Sequence, residues 1–457
     1  MNNKILLLFP DGVGVRNYLY SEVFDSSKED LVLFHSFDDK TAKEIVEITS
    51  IEQAYKIPKY NETVKEKFLR ELICLARLNN NTKITQNKSL LTNWKTNHNN
   101  LKNKIFYKLV ELSSKFISNY RQIEYLENKY QKQIRKTSYY KEVKAILEKI
   151  NPTLLFCSHQ RGVVCPTIFA AATDINIKTS TVIYSWDNLP KARLALRADN
   201  YLVWSNYMKE EMNLYYPEIN QNKVIVTGTP QFECYHNETN IIPREEFYNR
   251  YKLDISKKII CFSGDDVLTS PDDPKYLNDL AEELIINNLD KEYQILLRRC
   301  PVDVSGRYDV VVSKFPNLIK QAPPIWNFEK GSSWTTIYPL KEDVKLLVST
   351  AFYCDVVVNV GSTMAFDFAM FQKPCIFINY DQKEKENPNW SVNTIYQFQH
   401  FRSMPNTKVV LWWNNKTMIS ELLKKEFNLQ AMNSWKETIL SNNKYVSKQI
   451  RKFLNLS

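Results

Sequence analysis

The chemistry legible in this sequence concentrates at turns that follow apolar runs. In NVGSTMAFDFAMFQKP, Asn359–Pro374, Gly361 permits a tight turn with close backbone approach. Ser362 and Thr363 are placed to cap the helix that follows, whose free N–H groups suit a phosphate. Asp367 falls on the first turns of that helix, where a carboxylate accepts hydrogen bonds from ribose hydroxyls. Asp11 stands beside Gly12 and Gly14 in PDGVGVRNYL, between a strand end and a helix, an address for a general base. His159 and Arg161 in CSHQRG follow a second apolar run. Asp187 and Asn188 in SWDNLPK follow a third, where they either bind substrate or fix their loop through Asx-type bonds.

These positions need strands behind them. Lys4–Phe9, KILLLF, is a continuous apolar run ended by Pro10, which predicts a buried parallel strand. Further strands are expected at Leu31–Phe34, Leu154–Cys157, Thr181–Tyr184, Tyr201–Trp204 and Val224–Thr227, with helical patterns between most of them. The pattern restarts at Lys257–Asp266, then gives a helix near Lys275–Asn288, a strand at Tyr293–Arg299, and a strand–loop–helix–strand unit over Asp355–Asp381. Alternating strands and helices imply α/β architecture with two doubly wound, Rossmann-like halves. The boundaries expected are 1–240 for the first half, 241–430 for the second, and a final helix in 431–457 that packs back on the first. In such sheets the ligand crevice lies at the carboxyl ends of the strands.

The chain has 457 residues, 44% of them hydrophobic, which suits two or more folded domains and excludes wholesale disorder. Eight cysteines without a C-x-x-C pair read as free thiols in a reducing compartment. The first apolar run is too short for a signal peptide, and no run is long enough to span a membrane. A cytoplasmic protein is expected, soluble or peripheral on the inner face of the membrane. The net charge of +10 is concentrated: Asn61–Ile150 holds 19 Lys and Arg against 8 Glu and no Asp, with no Gly or Pro. Apolar residues at Ile105, Leu109, Leu112, Phe116, then Ile123, Leu126 and Tyr130 predict helices, with a break near Asn79–Asn81. This insert, 61–150, is either a solvated helical face or a basic surface for an anionic partner such as lipid headgroups. Nucleic acid is not expected, because zinc-finger spacing and RNP-like motifs are missing.

At NVGSTMAFDFAMFQKP the sequence resembles the GT-B nucleotide-sugar glycosyltransferases, especially those of bacterial surface polysaccharide. Non-hydrolysing sugar-nucleotide epimerases and polyol-phosphate transferases have a similar segment. YSWDNLPKARLALRADNYLVWSNYMKEEM, VIVTGTPQFECY and PDGVGVRNYL resemble blocks of the same group, so the likeness covers both halves but not the basic insert. The resemblance implies that Gly264 and Asp265, in the loop after the first carboxy-terminal strand, belong to the donor site. It implies metal-independent catalysis despite the Asp265-Asp266 pair, and no cofactor besides the nucleotide-sugar co-substrate. Where related chains carry a His-Pro pair, this one has Cys300-Pro301, which passes phosphate binding to Arg298 or Arg299. His400 and Arg402, in YQFQHFRS, resemble an element that reaches donor or acceptor.

The expected function is transfer of a sugar from a nucleotide-activated donor to a hydroxyl of a glycan or lipid-linked acceptor in cell-surface polysaccharide synthesis. Asp11, His159 and Asp187 are the catalytic candidates. Gly264, Asp265, Arg298, Arg299, Gly361, Ser362, Thr363 and Asp367 would hold the donor, and Gly12, Gly14, Arg161, Asn188, His400 and Arg402 the acceptor. The alternatives are a sugar-nucleotide epimerase, a polyol-phosphate transferase, or a non-catalytic scaffold that binds a glycan or partner.

Overall fold

The structure is a computed structural model; it describes residues 4–24, 29–49, 51, 53–96, 98–327, 337–441 and 444–456. The chain divides into two compact units. The first comprises Met1–Pro230, Phe398–His400 and Ile439–Ser457, and the second Gln231–Gln397 with Phe401–Thr438.

The first unit is built on seven parallel strands: β1 (Lys4–Phe9), β2 (Asp30–His35), β3 (Gln53–Lys56), β4 (Leu154–Cys157), β5 (Lys178–Val182), β6 (Asn200–Val203) and β7 (Val224–Val226). Their spatial order is β3-β2-β1-β4-β5-β6-β7. Leu6–Phe9 and Leu155–Cys157 are fully buried, as both-face burial in a parallel sheet requires. The order reverses between β1 and β4, so the loops after those two strands flank the topological switch point.

The second unit repeats the plan. Its strands are β8 (Lys258–Ser263), β9 (Tyr293–Arg298), β10 (Ile319–Gln321), the short pair β11 (Trp326–Asn327) and β12 (Tyr338–Pro339), then β13 (Val356–Asn359), β14 (Cys375–Ile378) and β15 (Leu411–Trp413). The six-stranded parallel sheet runs β10-β9-β8-β13-β14-β15, with its switch point between β8 and β13. Two Rossmann-like domains are therefore present.

Three helical expectations change. The helix Val64–Thr85 runs through Asn79–Asn81 without a break. It is anchored by a Thr63–Glu66 capping box and ends at Gln86 in the left-handed region. Its middle is held by Arg77, which is buried and bonded to Glu127 at 2.9 Å and Glu218 at 3.0 Å. The carboxy-terminal stretch is two helices, Leu429–Ile439 and Val446–Leu454. In the basic insert, Ile123 and Tyr130 are buried as the periodicity implies, but Ile105, Leu109, Leu112 and Phe116 lie on the outside. No helix among the described residues is long and apolar enough to cross a membrane. All eight cysteines are free thiols, and six are buried.

Candidate active site

In the first unit, β1 and β4 deliver their following loops side by side. After β1, Asp11 extends into a short turn and caps it, Oδ1 accepting the Val13 N–H at 3.1 Å. Its other oxygen, Oδ2, lies 2.6 Å from Nδ1 of His159, which follows β4. Gly14 makes this approach possible, because a Cβ there would fall 2.4 Å from Ser158 Cβ. The imidazole also meets the edge of the Tyr184 ring, with centroids 5.5 Å apart. Asp11 is buried, whereas the His159 side chain keeps 15% of its surface exposed. With Nδ1 engaged by Asp11, Nε2 is the ring nitrogen left for proton exchange with a ligand. The sequence candidates Asp11 and His159 are thus brought together. Gly12 and Gly14 are buried parts of the same turn. Arg161 is exposed.

The loop after β5 makes a second cluster. Asp187 pairs with Lys191 one turn on. The Lys191 ammonium and the nearby His400 hold the Asp187 carboxyl far below its usual range, against the burial that would raise it. Asn188 is buried and accepts from Gln160 Nε2 at 3.0 Å, while Gln160 takes the Tyr184 N–H at 3.1 Å. Asn188 therefore ties the His159 loop to the Asp187 loop. His400 packs edge-on to Trp186, centroids 4.6 Å apart. Burial depresses its pKa to about 4, with Lys191 adding to this and Asp187 opposing it. Arg402 is exposed and belongs to the second unit.

Glu211, which sequence reasoning missed, sits on the helix Asn206–Tyr215 with both carboxyl oxygens buried and without a partner among the described residues. Burial, and then the Asp187 charge, push its pKa well above the usual carboxylate range. Only the apolar periodicity of a surface helix surrounds it in the sequence, and that gave no signal.

In the second unit, the loops after β8 and β13 flank the switch point. Gly264 donates its N–H to the Arg298 carbonyl at 3.0 Å, continuing the β8–β9 ladder. The Asp265 N–H bonds Asp273 Oδ2 at 2.6 Å. Burial pushes the Asp273 carboxyl up to about 6, against hydrogen bonds and the Arg307 guanidinium. Burial and the charges of Asp273 and Asp266 raise Asp265 also. Gly361 adopts φ +68°, and the Ser362 N–H is held by Asn359 Oδ1 at 2.8 Å. Thr363 begins the helix without a side-chain cap bond, and that helix, Met364–Ala369, is six residues long. A phosphate at this turn would meet loop N–H groups rather than a long helix dipole.

Two donor-site candidates have partners inside the second unit. Asp367 is buried inside the unit and takes the Tyr235 hydroxyl at 2.6 Å on Oδ1, so that oxygen is not open to a ribose. Arg298 is buried and its Nη2 is bound to both oxygens of Asp343, each at 3.0 Å. Asp343 also receives the Ile325 N–H and Trp326 Nε1, each at 2.8 Å. Nη1 of Arg298 stays buried and unpaired among the described residues. Arg299 turns to the Asp303 carbonyl. The arginine that reaches the Gly264–Asp266 loop is Arg307, which donates to the Asp265 carbonyl at 2.6 Å and to the Ser270 carbonyl at 2.8 Å. Its signal was the Gly306 turn just before a helix, in SGRYD. No group of three or more His, Cys, Asp or Glu side chains placed to hold a metal ion occurs among the described residues.

No protein-family model and no curated protein sequence matches this chain. Solved structures do. A provisionally named UDP-N-acetylglucosamine 2-epimerase from Listeria monocytogenes superposes with a TM-score of 0.52 at 9% identity, covering 100% of this chain and 98% of that one. A second UDP-N-acetylglucosamine 2-epimerase gives 0.52 at 10%, covering 99% and 95%. The S. aureus MnaA–UDP co-structure gives 0.50 at 10%, covering 100% and 98%. At this identity the likeness establishes the fold: an α/β chain of two Rossmann-like domains, the GT-B architecture.

Proposed function

We propose that this protein is an enzyme acting on a nucleotide-activated sugar, and that epimerisation, rather than the glycosyl transfer expected from the sequence, is its first reading. The observation that carries the proposal is the Asp11–His159 pair, 2.6 Å apart at the switch point of the first sheet. The similar structures, two UDP-N-acetylglucosamine 2-epimerases and a UDP complex, support the substrate class and favour epimerisation.

In this reading the second unit holds the nucleotide at the loops that follow β8 and β13, beside the switch point of its sheet. His159 Nε2 takes the proton from the sugar carbon next to the anomeric centre, Asp11 stabilises the imidazolium that forms, and the electron pair of the broken C–H bond expels the nucleotide diphosphate as a C=C bond forms; a proton returned from solvent to the opposite face and re-addition of the diphosphate to the anomeric carbon give the epimer. Glycosyl transfer is the second reading. A single carboxylate–imidazole base is sufficient to deprotonate an acceptor hydroxyl, and that is the observation in its favour. A thermal-shift screen with UDP, GDP, CDP, CMP and dTDP tests the substrate class. One nucleotide should raise the melting temperature by mass action. No shift with any of them at millimolar concentration would leave the scaffold reading.

A further inference from the structure

The helix Leu101–Ser114 buries one face and leaves a second apolar face uncovered. Tyr107 and Val110 point inward, and Val110 packs with Leu72 and Leu75 of the helix Val64–Thr85. On the other side, Leu101 is 72% exposed, Ile105 53%, Leu109 51% and Leu112 44%. Phe116, in the turn that follows, is 81% exposed. The spacing of four, four, three and four residues puts all five within about 80° of arc at 100° per residue.

Lysines border that arc on both sides. Lys104, Lys108 and Lys115 lie along one edge and Lys102 along the other, all exposed. Glu111 is the single acid on the helix, and it is half-buried, 3.5 Å from Trp94 Nε1. A groove of about 620 Å³ opens on this face, lined by His98, Lys104, Ile105, Lys108, Leu109 and Glu111.

We infer that this helix docks the protein on an anionic lipid surface, its Leu101–Phe116 stripe entering the headgroup–acyl boundary and its lysines meeting lipid phosphates. The stripe supplies apolar area with no polar atom to desolvate, and the flanking ammonium groups match a negative surface. A second copy of the chain fits poorly. A two-fold contact would bring four lysines against the same four. The exposed face of a 14-residue helix offers about 200 Å², against about 800 Å² per partner for a stable dimer. Nucleic acid supplies phosphates but nothing to cover five exposed apolar side chains. This inference is independent of which sugar chemistry the protein performs.

The test is co-sedimentation of the full chain with phosphatidylcholine vesicles containing 0 to 40% phosphatidylglycerol, at low and high salt. The wild type should bind more tightly as phosphatidylglycerol increases and more weakly in high salt. Ile105→Ser/Leu109→Ser/Phe116→Ser should lose at least tenfold in partitioning at every composition. Lys102→Gln/Lys104→Gln/Lys108→Gln/Lys115→Gln should lose about fivefold per lysine, and with it the dependence on phosphatidylglycerol. Every replaced side chain is on the exposed arc, and circular dichroism should show wild-type helicity in both variants. Failure of the wild type to bind any vesicle, or equal binding by either variant, overturns the inference. So does sedimentation equilibrium showing a wild-type dimer that the serine variant dissolves, which would make the stripe a contact between copies.

Discussion

Asp11 and His159 are 148 residues apart in the chain and 2.6 Å apart in space, at the carboxyl ends of two neighbouring parallel strands. The carboxylate is buried, the imidazole is partly open, and Oδ1 of Asp11 is already occupied by the Val13 N–H. The pair is therefore oriented before any ligand arrives. Asp11→Asn should keep the turn but lose the charge that stabilises an imidazolium, lowering kcat by roughly 10²–10⁴-fold. His159→Ala should do the same, and the double variant should be no slower than the worse single one, because the two groups act as a unit. Steady-state kinetics on the three variants checks this. Additive losses would mean that the two residues act separately.

Gly14 sets the distance between the two loops. Gly14→Ala should push the Asp11 turn away from Ser158 and cost about 100-fold in kcat, the usual penalty for misplacing a catalytic group by about 1 Å. Adding Ser158→Gly removes the Cβ that collides and should restore most of the rate. Full activity in Gly14→Ala would show that the turn is not held as described.

Substitutions at the second switch point act on folding before binding. Gly361→Val places a branched side chain at φ +68° with its Cβ 2.8 Å from the Phe401 ring. Strain of about 1–3 kcal/mol is expected from the backbone alone, seen as a lower urea midpoint. Asp367→Ala should also destabilise, by about 1–3 kcal/mol, since it removes the buried acceptor of the Tyr235 hydroxyl. Asp367→Asn, which keeps an acceptor there, should be close to wild type. If Asp367→Ala is as stable as wild type and loses nucleotide, the ribose role is restored.

His400 gives a signed dependence on pH. Its folded pKa, about 4, lies below its usual value of 6.5, so the unfolded chain binds the extra proton between them. Its contribution to stability is fully present above pH 6.5 and is lost as pH falls toward 4. Asp273 has the opposite slope, between its usual 3.8 and about 6, because its folded form holds the proton more tightly. Asp187, whose folded pKa is depressed, contributes stability that is fully present above its usual 3.8 and is lost only as pH falls below it, outside this range. The informative quantity is accordingly the difference between wild type and His400→Gln. Denaturation midpoints should converge as pH drops from 6.5 to 4, the variant losing less. Parallel curves over that range would contradict the assignment.

The sequence is a good guide to this fold where burial is complete. KILLLF and LLFC became β1 and β4 at the expected residues because strands buried on both faces leave unbroken apolar runs. The edge strands β3, QAYK, and β15, LWW, escaped notice because each is short and partly exposed. Asp11 and His159 were legible as separate strand-end residues, but their pairing depended on strand order, which spacing does not encode. Arg307 was overlooked in favour of Arg298 and Arg299 because proximity to a strand end does not reveal which arginine turns inward to Asp343. The Ile105–Phe116 stripe was legible as a helix, yet periodicity cannot tell a core face from a second apolar face turned outward.

The central claim is that the Asp11–His159 pair moves a proton on a nucleotide-sugar. It is tested most directly by incubating the protein with UDP-N-acetylglucosamine in D₂O, without acceptor, and following the sugar by proton NMR. Wild type should exchange a carbon-bound sugar proton for solvent deuterium and form a second sugar-nucleotide isomer, and His159→Ala should do neither. Exchange that persists in His159→Ala, or a nucleotide that binds without any exchange or isomer in the wild type, would contradict the epimerase account.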